Sequence, residues 1–181
     1  MNRAGLLTRM AILMALGVAS SSFSAIPLFG AKLFPAQHAI NVVAGAMLGP
    51  VYAGVVGLGI ATIRILLGSG TLLAIPGTVF GAVLAGLLYR RTGSRLAAMI
   101  GEVIGTGLIG AVAAYPVAVL LLGNAKAAAG GIGFYIPSFA ASSAAGALIG
   151  GQALAVLQRF RLVVTPRALQ VPASGCDRPD K

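Results

Sequence analysis

Six side chains in an otherwise apolar chain have the chemistry to hold a polar solute: Gln37, His38, Asn41, Arg64, Glu102 and Tyr115. His38 and Asn41 are three residues apart and share one face of a helix, with Gln37 beside that face at its start. A neutral imidazole and two amides can bond a ring nitrogen or a hydroxyl without supplying full charge. That set suits a small uncharged heterocycle better than an ion. The plainer alternative is hydrogen bonding between helices.

Glu102 is the only acidic residue before the polar C-terminal tail. A carboxylate at membrane depth must be paired, protonated or turned to a wet cavity. Arg64 is the candidate partner by sign. At about 1.5 Å per residue, however, Glu102 stands about 10 Å above the cytoplasmic end of its helix, with Arg64 nearer the outer end of its own. A direct pair needs tilt or snorkelling, so a structural ion pair and a ligand or coupling role both stay open. Tyr115 and Tyr135 stand beside Pro116 and Pro137, towards the outer ends of two helices. Membership of an interfacial aromatic belt is the alternative for both.

Other chemistry is poorly supplied. No GxxxxGK[ST] phosphate loop is present, so ATP is not bound by that route and any ATP-driven role needs partner subunits. One histidine, one acid at membrane depth and the helix-end serines Ser20, Ser21 and Ser22 do not assemble an acid, base and nucleophile, which argues against an enzyme. The lone Cys176 in the tail excludes a disulfide framework or a cysteine-built metal site within one chain.

The elements that must position these residues are membrane helices. The chain is 58% hydrophobic and 9% charged, with mean hydropathy +0.97, and cannot clothe itself with a soluble surface. Its 26 glycines and lack of tryptophan indicate helices that approach closely through small side chains. The formal charge of +10 is spread singly or in pairs between apolar runs and reads as topology rather than as a nucleic-acid face. Apolar periodicity places spans at about 7–25, 36–48, 51–67, 71–89, 96–122 and 134–158, a six-helix all-α membrane domain over about 1–161. Residues from about 162 to 181 lack apolar content and read as a disordered cytoplasmic tail.

Arg3 and Arg9 before an apolar run also resemble the start of a secretory signal peptide. Phe23 is a poor residue three before a cut after Ala25, and the exported product would itself be multispanning, so a retained first helix is expected. With an even number of spans, Arg3, Arg9, Arg90, Arg91, Arg95, Arg159, Arg161 and Arg167 all fall on one side, which the positive-inside rule makes cytoplasmic together with both termini. The stretch from 26 to 49 containing Lys32, the turn at 68–70 and the loop at 123–133 then lie outside. Ala11, Ala15 and Ala19 recur every four residues on the first helix and form a smooth stripe for close packing.

The runs KLFPAQHAIN at 32–41 and GSGTLLAIPG at 68–77 carry a resemblance that extends over roughly residues 5 to 160. The chain resembles the ThiW family, substrate-binding S components of energy-coupling factor transporters associated with thiamine-precursor uptake. The resemblance implies a six-helix subunit of a cell-membrane importer that captures hydroxyethylthiazole from outside. Its partners would be a transmembrane coupling protein and two cytoplasmic ATPases that consume ATP, with no cofactor in this chain. It also implies that the Ala11, Ala15, Ala19 stripe docks on the coupling protein and that Gln37, His38, Asn41, Arg64 and Tyr115, with Glu102 less securely, hold the ligand. Two rivals remain: a stand-alone proton-coupled carrier using Glu102, and a structural membrane protein indifferent to His38 and Asn41.

Overall fold

The computed structural model describes residues 3–23, 26–28, 31–160 and 162–163. Helix α1 runs over Arg3–Phe23. Strands β1, Ile26–Leu28, and β2, Ala31–Leu33, pair antiparallel with Ile26 opposite Leu33. Then come α2, Pro35–Leu48, α3, Pro50–Leu66, and α4, Ala74–Thr92. A continuous helical run, α5, covers Arg95–Leu121, followed by the short α6, Ala125–Gly130, and by α7, Ile136–Arg159. Cys176 and the stretch beyond 163 lie outside the described residues, whereas Val163, inside the stretch read as a disordered tail, is buried in the core, a correction to where that tail begins.

Proline and glycine punctuate these elements for local reasons. Pro35 and Pro50 each open a helix, where the missing N–H would have had no partner. Gly49 ends α2 at φ 85°, a conformation that a side chain resists. Pro76 does not interrupt the fourth run as its position in the sequence suggests. The helix begins at Ala74, so Pro76 falls in the first turn, where no hydrogen bond is lost. In α5 the turns Gly105–Gly110 and Val117–Leu121 are π-helical, flanking the α-helical Ala111–Pro116.

Helix α2 is the centre of the bundle and touches α1, α3, α4, α5 and α7. One core patch, with Leu13, Val43, Val56 and Ile60, joins α1 to α2 and α3. A second, with Val42, Tyr89, Ala98 and Leu154, joins α2 to α4, α5 and α7. Between α4 and the α2–α3 corner the backbones themselves meet. A Cβ on Gly86 would lie 2.8 Å from both N and Cα of Pro50. Replacing Gly86 by valine should therefore cost about 1–3 kcal/mol, read as a lowered midpoint of thermal unfolding in detergent.

The surface is apolar where a soluble protein would be charged. Leu66 is 81% and Leu120 79% exposed, and Leu7, Ile12, Leu16 and Val55 also face outward. Meanwhile Asn41, Arg64, Glu102 and Ser143 are buried. By length and composition α5, α7 and the Arg3–Ser21 part of α1 are able to cross a membrane, and Pro50–Leu66 is a shorter apolar helix.

Candidate functional site

Helix α2 is only 14 residues long, about 21 Å at the usual rise, so its first turn begins well inside the bundle. The short β1–β2 pair precedes it, and the Phe34 backbone N–H donates to Ser142 Oγ of α7 at 3.0 Å. That bond ties the entry of α2 to the helix it packs against most extensively. His38 and Asn41 follow on the face directed at α4 and α5.

There they meet Glu102. His38 Nδ1 lies 2.8 Å from Glu102 Oε1, and Asn41 Nδ2 donates to the same oxygen at 3.1 Å. Thr106 Oγ1 stands 2.8 Å from Oε1 and 2.9 Å from the carbonyl of Gly77, with one proton to share between them. Thr78 Oγ1 donates to Asn41 Oδ1 at 3.1 Å, and Asn41 Nδ2 approaches the Thr78 carbonyl at 3.4 Å. The other carboxylate oxygen, Oε2, is buried without a hydrogen-bond partner.

His38 Nδ1 is thus engaged by the carboxyl group, and Nε2 is the ring nitrogen left for another partner. His38 lines a cavity of about 770 Å³, within the range of small-molecule sites. Thr106 and Thr78 share that lining. Asn41 and Glu102 stand behind it and set the imidazole.

Arg64 forms a second set. It is 1% exposed, and its Nη1 donates to Gln37 Oε1. Its Nη2 donates to the Ser69 carbonyl at 3.1 Å, and the guanidinium carbon lies 3.9 Å above the Phe34 ring. Arg64 and Phe34 both line the cavity. Of the alternatives left open for Arg64 and Glu102, the direct pair is not formed: the acid bonds His38, Asn41 and Thr106, and the arginine bonds an amide and a carbonyl. The short α2 brings His38 to Glu102, whereas Arg64 stays in the last turn of α3.

Tyr115 is half-buried on α5 and does not line the cavity. Each π-helical turn takes one residue more than an α-turn, so Gly105–Gly110 rotates later residues of α5 away from their α-helical phase. The cavity tyrosine is Tyr135, which accepts from Asn124 Nδ2 at 3.1 Å. Burial pushes the Tyr135 phenol up from its ordinary value, against a smaller opposite pull from Asn124. It stays protonated at neutral pH and can both donate and accept. Ala11, Ala15 and Ala19, in contrast, are exposed on α1, away from this site.

The sequence reading also passed over Phe34, Thr78, Thr106 and Ser142. Phe34 lay inside the distinctive KLFPAQHAIN run, which was a usable signal. Threonines and serines in apolar helices carry no such mark.

The cavity occupies one end of the bundle. Helices α4 and α7 start beside it and finish at Arg90, Arg91 and Arg159. An apolar exterior, small and polar residues within, and a cavity lined by both apolar and polar side chains define a helical membrane protein. The family model described as thiamine-precursor transporter protein (ThiW) matches residues 7–160, and the chain belongs to that family. No curated protein and no solved structure matches the chain.

Proposed function

We propose that the chain is the substrate-binding S component of an energy-coupling factor importer and takes up hydroxyethylthiazole or a closely related thiamine precursor. The observation that carries the reading is the cavity in which the His38 ring, set by Glu102 and Asn41, faces Arg64 across a lining rich in hydroxyls and aromatic rings. An imidazole nitrogen, the Tyr135 phenol and the threonine hydroxyls supply directional bonds for a thiazole nitrogen and a hydroxyethyl arm. Phe34, Phe134 and Phe139 supply apolar contact for the ring.

In this reading His38 and Arg64 touch the ligand, Gln37, Asn41 and Glu102 position them, and Tyr115 gives its place to Tyr135. Residues 1–161 form a six-span domain with both termini cytoplasmic. The arginines at the far ends of α4 and α7 support an outward-facing cavity. Transport depends on a transmembrane coupling protein and two ATPases. The exposed Ala11, Ala15, Ala19 stripe supports a docking face for that coupling protein.

Uptake by reconstituted vesicles tests the division of labour. Vesicles holding this chain alone should bind radiolabelled hydroxyethylthiazole without accumulating it, and accumulation should require the ATPase module with internal ATP. Ala15→Leu should cut module-dependent uptake at least tenfold while leaving binding within twofold. The buried, unpartnered oxygen of Glu102 beside His38 favours one rival, a proton-coupled carrier. Accumulation driven by a pH gradient in vesicles of this chain alone would establish that rival.

A further inference from the structure

Both charged side chains in the cavity lining, Arg64 and Lys126, are positive, and the acid stands one imidazole ring behind that lining. Glu102 is the sole acid among the described residues, and its bonds go to His38, Asn41 and Thr106. Arg64 receives only neutral partners: the Gln37 amide oxygen, the Ser69 carbonyl and the Phe34 ring. Of its five N–H donors two are bonded, and Nε is buried with no acceptor. Lys126 adds a second positive group to the lining, although its exposure to solvent weakens its effect. The face of Phe34 that would attract a cationic ring is already covered by the guanidinium.

We infer that Arg64 is a charge filter, admitting an uncharged thiazole and rejecting a thiazolium. The distinction is chemical. An unsubstituted thiazole nitrogen is uncharged at neutral pH, whereas alkylation of that nitrogen, the linkage that joins the thiazole to the pyrimidine in thiamine, fixes a permanent positive charge. A cation held about 6 Å from a buried guanidinium, at an effective dielectric near 20, should bind on the order of 100-fold more weakly than it would without that charge, and Glu102 behind His38 returns part of the loss. The inference rests on the thiazole-binding reading above and adds the residue that separates precursor from vitamin.

The test is equilibrium binding to the purified full chain of hydroxyethylthiazole and its N-methylated thiazolium. A second pair, 3-hydroxyethylpyridine and its N-methylpyridinium, is measured alongside with wild type, Arg64→Gln and Arg64→Lys. Wild type should prefer the neutral member. Arg64→Gln should shift the neutral-to-cation ratio by about 100-fold, erasing or reversing the preference whatever it does to absolute affinity, and Arg64→Lys should keep most of it. Equal binding of neutral and cationic members by wild type would overturn the filter, as would a preference undiminished in Arg64→Gln, which would assign it to the bulk of the methyl group. If the thiazoles fail to bind and the pyridines succeed, the substrate reading falls and the pyridine pair still decides the filter. If folded protein binds neither pair, both fall.

Discussion

Replacing Glu102 by leucine should weaken binding of the thiazole by more than about 100-fold. The carboxylate is fully buried, and Oε1 is the shared acceptor for His38, Asn41 and Thr106. Leucine takes away the partner of His38 Nδ1, at about 1–3 kcal/mol before relaxation, and frees the imidazole to change tautomer or turn its ring, while Thr106 and Asn41 keep the Gly77 and Thr78 carbonyls. Removing a buried charge also relieves desolvation, so stability should fall less than binding does. Glu102→Gln keeps one acceptor oxygen and should lose about tenfold. Thermal unfolding measured beside binding separates the two effects, and wild-type affinity in folded Glu102→Leu would show that the acid does not set the site.

An equally large loss is expected from the smallest possible change on the facing helix. A Cβ on Gly81 would lie 2.5 Å from Glu102 Oε2 and 2.8 Å from its Cδ, and would collide with Thr106 Oγ1. These distances are far inside contact. In Gly81→Ala the carboxylate must swing aside, carrying His38 and Asn41 with it, and binding should fall at least about 50-fold. Helix propensity acts in the opposite direction, since alanine is favoured over glycine by about 1 kcal/mol in a helix interior. The variant should accordingly fold and insert normally. Gly133→Ala, where an added Cβ meets only Ile136 Cδ1 at an ordinary 3.7 Å, should leave binding unchanged and serves as the control. Binding of wild-type strength by Gly81→Ala would mean that the packing of α4 on α5 does not position the carboxylate.

The sequence made the polar cluster of α2 conspicuous because amides and an imidazole are rare between apolar runs. The helix borders were legible for the same reason, through Pro35, Gly49, Pro50 and the arginines in the last turn of α4. Depth was not. Counting residues sets Glu102 about two turns into the fifth run, yet the shortness of α2, which brings His38 to it, became visible only once the bundle was assembled. The helical phase of Tyr115 was hidden by the π-helical turns, since an α-helical count carries no signal for a widened turn. Strands of three residues each are too short to show a two-residue period, so the β1–β2 pair carries no sequence signal.

The dependence of the cavity on α5 explains why these two sites matter together. Thr106 lies in the first π-helical turn and reaches both Gly77 and Glu102. The widened turn and the glycine on α4 thus act on the same carboxylate, and double substitution of Gly81 and Glu102 should cost little more than either alone.

Equilibrium binding of hydroxyethylthiazole to the purified protein in detergent, with thiamine and its pyrimidine precursor as competitors, tests the central claim most directly. The measurement should be repeated with His38→Ala and Asn41→Ala. Selective binding of the thiazole, weakened at least about 30-fold by His38→Ala and about tenfold by Asn41→Ala, is the expected result. Absence of thiazole binding by folded wild-type protein, or binding indifferent to His38, would contradict it.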